Sequence, residues 1–191
     1  MNVENNFWYD QENILFRSSP KKLKELMESY RLYKSLYTSH KKDIRLNPLI
    51  GCKIGPNLYL GNYIFASDAS LLTTLGITHI LNAAREVPNY FIYDSPLQYL
   101  QLNMIDNPKE DATRFFEVSK EFIDNATEDN GIVLIHCKAG ISRSVTILIS
   151  YLMSKFNMSA TDALKIIREN RPQVNPNYGF MKQLGMKQLG F

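Results

Sequence analysis

Hydrophobic positions follow two rhythms along the chain, and together they predict helices and short strands in alternation. Leu23, Leu26, Met27, Tyr30, Tyr33 and Tyr37 stand three and four residues apart, behind the start signals Ser18, Ser19 and Pro20. That spacing predicts a basic amphipathic helix over about 19–38, inside an N-terminal extension of residues 1–50 that Asn47-Pro48 closes. From Gly51 the rhythm changes. NLYL (57–60), ITHILNA (77–83) and residues 99–104 read as strands, and Ser67 or Asp68 opens a helix that Gly76 ends. Asp111 stands before the helical run Phe115, Phe116, Val118, Phe122, Ile123, where a cap belongs. IVLIHC, after Gly131, is a continuous apolar run of the kind that fills a central strand covered on both faces. Further helices are expected from about Arg143 to Phe156, from Ser159 with Asp162 three residues on, and from Pro176 or Asn177. Strands alternating with helices give an α/β domain over 51–191, a mostly parallel central sheet flanked by helices. MKQLG occurs at 181–185 and again at 186–190, which lengthens a terminal helix or tail but is too short for a solenoid repeat.

Composition narrows the class. A chain of 191 residues with 45% hydrophobic and 21% charged residues has the make-up of one soluble domain with an appendage. The apolar run VTILISYLM is too short to span a bilayer, so no membrane insertion is expected. MNVENNFWYDQEN lacks a basic and then apolar opening, Asn2 is not the glycine of a myristoylation signal, and the terminal LGF is no prenylation box. Two cysteines, Cys52 and Cys137, make no disulfide framework and fit a reducing compartment, the cytoplasm and also the nucleus. His40, His79 and His136 show no metal-ligand spacing, so neither a metal nor another cofactor is expected.

The net charge of +3 is unevenly spread: nine Lys or Arg against three acids between Arg17 and Arg45 leave +6 there and −3 elsewhere. The stretch suits an acidic partner, a membrane surface or nucleic acid, or else simply a solvated helix face, the simpler reading. No nucleic-acid partner is expected, and the oligomeric state is not written in the sequence. Phe7, Trp8 and Tyr9 are expected to pack on the domain or in a dimer contact.

The chemistry concentrates in HCKAGISRS (136–144). This segment leaves the carboxyl end of the expected central strand and enters a helix, where α/β sheets bind ligands. The backbone N–H groups of Lys138, Ala139, Gly140, Ile141, Ser142 and Arg143, with the unbonded donors of the helix's first turn, converge into a nest for a phosphate. Gly140 permits the tight backbone path, and the fork of Arg143 can grip two phosphate oxygens. A thiol at Cys137, beside a helix N-terminus and a cation, should ionise readily and become a nucleophile. Ser144 can hydrogen-bond its sulfur and ease its later departure, while His136 is placed to orient the loop.

HCKAGISRS resembles the phosphate-binding loop of cysteine-dependent protein tyrosine phosphatases, His-Cys-x5-Arg-Ser/Thr. The flanks PNLYLGN (56–62), LGITHILNAA (75–84), ISYLM (149–153) and RPQVNPNYGFMKQL (171–184) are similar to the dual-specificity branch, so the resemblance covers about 51–190. It implies a dual-specificity phosphatase fold and a metal-independent, two-step hydrolysis through a phosphocysteine. The substrates implied are phosphotyrosine, phosphoserine and phosphothreonine in proteins. The family's general acid lies some thirty residues before the cysteine; Asp106, 31 residues upstream, matches it, and Asp111 is set aside as a helix cap. Asn177 matches a residue that supports the phosphate loop. Ile141 and Ser142 leave Lys138 as the only other basic group of the loop interior, which argues against an inositide substrate. Ala-Gly-Ile-Ser is similar to the MAP-kinase-directed group, and HKKDIRL (40–46) resembles a kinase-docking segment. A domain this short leaves little room for a pocket-deepening loop. A non-catalytic relative that only binds phosphoprotein is the rival class, although such relatives usually lack the cysteine or the arginine. Cys52 reads as a buried structural cysteine, with a disulfide to an oxidised Cys137 as its alternative.

Overall fold

The computed structural model describes residues 46–93 and 96–188. The expected helix over 19–38, the Phe7-Trp8-Tyr9 cluster and HKKDIRL up to Arg45 lie outside the described residues. Among the described residues five strands run β1 (Gly51–Lys53), β2 (Leu58–Gly61), β3 (His79–Ala84), β4 (Gln98–Met104) and β5 (Val133–His136). They form one sheet in the order β1-β2-β5-β3-β4, parallel except for the edge pair β1–β2. The helices are α1 (Tyr63–Ala66), α2 (Ala69–Leu75), α3 (Phe116–Glu128), α4 (Arg143–Phe156), α5 (Ala160–Asn170) and α6 (Tyr178–Gln188). This is the mostly parallel α/β architecture that the alternating pattern predicts.

The central strands are apolar at most positions, His79, Asn82 and His136 excepted, because helices cover both faces of the sheet. Leu60, Leu81, Val133 and Ile135 pack with Val145, Ile147, Ile167 and Phe180 of α4, α5 and α6 on one side. Tyr59, Ile80 and Leu134 alternate to the other side and meet Phe65 of α1 and Leu72 of α2. Side-chain caps open α1, α2, α5 and α6, whereas α3 and α4 start without one. Asp68 accepts the Leu71 N–H at 2.9 Å and Gly76 closes α2 in the left-handed conformation, while Ser159 accepts the Asp162 N–H at 3.0 Å. Asn177 accepts the Phe180 N–H at 3.0 Å, and α6 then runs through the first MKQLG into the second. Two short elements escape periodicity altogether: β1, and α1, whose start Asn62 caps by accepting the Ile64 and Phe65 N–H groups. Cys52, buried in β1, has β2 between itself and β5. Two strand spacings amount to about 9.6 Å, beyond the ~7 Å that a disulfide can bridge, so a bond to Cys137 is out of reach.

Two devices aim the chain at the end of β5. The β3–β4 register shifts between Asn82 and Ala84, and Asn103 takes a left-handed φ of 50° just before β4 ends. The chain thus leaves Met104 toward the loop after β5, carrying Asp106. Meanwhile the Asn82 amide donates to the Val87 carbonyl and to Asn89 and Gln101 side chains at 2.8–3.0 Å, and Gln101 donates to the Ala84 carbonyl at 2.7 Å. This buried amide network fixes the turn that carries Glu86.

Candidate active site

Cys137 is the first residue past β5 and is buried at the bottom of the loop. Two donors meet its sulfur: the Gly140 N–H at 3.2 Å and the Ser144 hydroxyl, also at 3.2 Å. The second contact is the one expected of Ser144. Gly140 makes the first possible, because its φ is 68° and a Cβ there would stand 2.5 Å from the Gly61 carbonyl oxygen. The loop then enters α4, whose N-cap Ser142 makes no side-chain capping bond, so the first-turn N–H groups keep facing the loop.

Ser142 is engaged elsewhere. Its hydroxyl donates to Asp106 Oδ1 at 2.7 Å and accepts the Asn177 N–H at 3.2 Å, while the Asn177 amide donates to the same Asp106 oxygen at 3.0 Å. Asn177 therefore reaches the loop through Ser142 and also seats Asp106. Asp106 hangs over the loop with Oδ2 3.7 Å from Arg143 Nε. Asp111 is occupied: its carboxylate accepts the Thr113 N–H at 3.0 Å and the Thr113 hydroxyl at 2.6 Å, where the helical turn Thr113–Phe115 leads into α3. The Thr113 hydroxyl holds the Asp111 carboxyl below the usual carboxylate range, which disfavours it as a proton donor.

Arg143 is buried, and Glu86 dictates how it lies. Nη1 and Nη2 donate end-on to the two Glu86 oxygens at 2.6 and 2.7 Å, and Nη1 also donates to the Met104 carbonyl at 3.1 Å. Burial pulls the guanidinium down, but Glu86 and the nearby charges of Cys137 and Asp106 carry it above its ordinary value. Of its five donors, one edge remains, Nε–H with the outer N–H of Nη2, and Nε is buried with no hydrogen-bond partner among the described residues, Asp106 Oδ2 standing 3.7 Å away. A buried donor without an acceptor is costly unless a ligand completes it, and that edge has the spacing for two phosphate oxygens. Glu86 was invisible to sequence reading: it is an exposed acid in a turn, and nothing local ties it to Arg143, 57 residues away.

His136 sits at the end of β5, fully buried, with Nδ1–H directed at the Cys137 carbonyl at 3.4 Å. Burial pushes its pKa down from 6.5 to about 4, so the ring is neutral and orients backbone rather than acting as a base. Because the folded value lies below the unfolded one, the unfolded chain takes the proton first. The contribution of His136 is complete above pH 6.5 and is lost as pH falls toward 4, at a cost of ~2 kcal/mol between pH 7 and pH 5. Urea unfolding at those two pH values should show this loss in the wild type and a shallower dependence in His136→Asn. Lys138 and Ala139 are exposed at the rim, and Ile141 is half-buried, with its carbonyl accepting the Asn175 N–H at 2.9 Å. Among the described residues no three His, Cys, Asp or Glu stand together as metal ligands, and no helix is long and apolar enough to cross a membrane.

Comparison with known proteins agrees with this geometry. The family model for the dual specificity phosphatase catalytic domain matches residues 58–188. The chain belongs to the dual specificity phosphatase family. It is 40% identical over 132 residues to human dual specificity protein phosphatase 9, covering 69% of this chain and 34% of that protein. Mouse dual specificity protein phosphatase 19 is 40% identical over 149 residues, 78% of this chain and 66% of that one. Serine/threonine/tyrosine-interacting protein B of Xenopus laevis is 42% identical over 137 residues, 69% and 61% of the two chains. The chain thus spans between a third and two thirds of these relatives. Among solved structures, human tyrosine phosphatase-like serine/threonine/tyrosine-interacting protein superposes with a TM-score of 0.68 at 38% identity, over 74% of this chain and 97% of that one. DUSP15 gives 0.69 at 34% identity, over 73% and 88%. The dual-specificity phosphatase fold expected from the loop and its flanks is the fold of the family.

Proposed function

We propose that this protein is a dual-specificity protein phosphatase that works through a phosphocysteine on Cys137. The observation that carries the reading is the junction of a sulfur met by two donors with a buried arginine edge that lacks an acceptor. A phosphoryl group set on that edge and on the loop amides brings phosphorus in line with Sγ. The thiolate attacks phosphorus, the phosphorus–oxygen bond to the substrate breaks, and Asp106 delivers a proton to the departing oxygen. The loop amides and Arg143 stabilise the charge on the transferring group. Asp106, now ionised, takes a proton from water as the water attacks the phosphocysteine. Sulfur leaves as thiolate beside the Ser144 hydroxyl, and inorganic phosphate is released.

Short connections around the loop, Ile105–Ala112 and Arg171–Asn177, support a shallow site open to phosphoserine and phosphothreonine as well as phosphotyrosine. Ile141 and Ser142 in the loop interior favour protein over inositide substrates, and MAP kinases are the substrate class that the loop resemblance singles out. Two cysteines, neither in a disulfide, favour a reducing compartment, cytoplasm or nucleus. The rival, a phosphoprotein-binding module, draws on the names of the serine/threonine/tyrosine-interacting relatives, and one experiment separates the two. With a chelator present, the protein should hydrolyse phosphotyrosine and phosphothreonine peptides. Acid quenching during turnover should then leave one phosphoryl group on the tryptic peptide containing Cys137. Saturable phosphopeptide binding with no phosphate release would overturn the proposal in favour of the binding module.

A further inference from the structure

Arg171 follows α5 directly and is among the largest fully buried side chains, at 1% exposure. Its acceptors among the described residues are all main-chain carbonyls. Nε donates to the Gly140 carbonyl at 2.9 Å and Nη2 to the Ala139 carbonyl at 3.2 Å. On its far side, Nη1 donates to the Pro48 carbonyl at 2.6 Å and Nη2 to that of Leu49 at 3.3 Å. We propose that Arg171 is the positioning residue of the phosphate loop: it draws two successive carbonyls behind the loop and so turns the Gly140 and Ile141 N–H groups into the cradle. This rests on the reading that the loop binds phosphate.

Peptide geometry carries the inference. In a planar trans peptide the C=O and the following N–H point in opposite directions. The Ala139–Gly140 unit shows both ends: its carbonyl meets Arg171, and its N–H meets Cys137 Sγ at 3.2 Å. In the Gly140–Ile141 unit the carbonyl meets Arg171 as well, which sends the Ile141 N–H the other way, toward the phosphate side. An extended chain would alternate its carbonyls; the left-handed φ of Gly140 brings two to one side, and Arg171 is the group that receives them. Charge points the same way. Arg143 is offset by Glu86, whereas the hydrogen bonds of Arg171 among the described residues all go to carbonyl dipoles and no carboxylate pairs with it there. Burial lowers its pKa, and the nearby Cys52 and Cys137 raise it; an arginine stays protonated through such a shift. A buried cation without a carboxylate partner is costly, and an anion bound at the front of the loop is what offsets it. The grip on Pro48 and Leu49, reinforced by Gln173 Nε2 donating to the Pro48 carbonyl at 2.9 Å, makes the entry to β1 part of the same bracket.

The test is calorimetric titration of the full chain with inorganic phosphate, which needs no turnover. Arg171→Met should weaken phosphate binding by about 10-fold to 100-fold, with KM for an aryl phosphate rising in parallel. Arg171→Lys, which keeps the charge but cannot span four carbonyls, should fall between Met and the wild type. Ile167→Ala, a fully buried truncation in the preceding helix, should lower the melting temperature and leave phosphate affinity unchanged. Wild-type affinity in Arg171→Met, or in Arg171→Lys if the Met variant does not fold, would overturn the proposal. So would an equal loss of affinity in Ile167→Ala. A wild-type protein that binds no phosphate would instead sink the proposed function itself.

Discussion

Cys137→Ser should abolish turnover, with kcat falling by roughly 10⁵- to 10⁶-fold, while inorganic phosphate still binds within a few-fold of wild type. The two outcomes separate because binding and attack use different atoms. In the proposed site the phosphate sits on loop N–H groups and on the Nε edge of Arg143, none of which belongs to the sulfur. Attack needs an anionic nucleophile, and a serine hydroxyl there has no base to form one. His136, the adjacent imidazole, is buried and neutral, and its Nδ1 addresses the Cys137 carbonyl rather than the side chain. Ser144 offers only a hydroxyl. Steady-state kinetics and phosphate titration on the same preparation check the pair. Residual turnover of even a few per cent of wild type in the serine variant would mean that another group attacks phosphorus.

Asp106→Asn should lower kcat on phosphotyrosine and phosphothreonine substrates by about 10²- to 10⁴-fold, the usual contribution of a positioned acid. The loss should shrink with an aryl phosphate whose phenol leaves easily without a proton. Asparagine can still accept the bonds from Ser142 and Asn177, so the loop keeps its shape and the variant isolates the proton. Asp111→Asn is the control. Its carboxylate is spent on Thr113, so its loss should cost at most ~1 kcal/mol of stability and leave kcat unchanged. A larger fall in kcat for Asp111→Asn than for Asp106→Asn would reverse the assignment.

What the sequence revealed here follows the distance between interacting groups. The loop from His136 to Ser144 was legible because its parts are contiguous: one strand end, one glycine, one arginine and one helix start determine the cradle locally. The local task of Asp111, at the approach to a helix, was legible too. Glu86 and Arg171 were not. Glu86 is a surface acid until the shifted β3–β4 register and the Asn82–Gln101 network turn it to Arg143. Arg171 opens the flank RPQVNPNYGFMKQL, which gives it no role of its own, and only the tertiary fold brings it beneath residues 139 and 140. The strand Gly51–Lys53 is shorter than any window in which alternation can be recognised.

The seating of Asp106 has a kinetic consequence. Its carboxylate is already tied to α4 through Ser142 and to the start of α6 through Asn177 before any substrate arrives. In the proposed mechanism the ordering entropy of the segment carrying Asp106 is then settled once, when the chain folds, and not again in every cycle. On the proposed mechanism the rate should therefore follow the chemistry of the leaving group rather than the viscosity of the solvent.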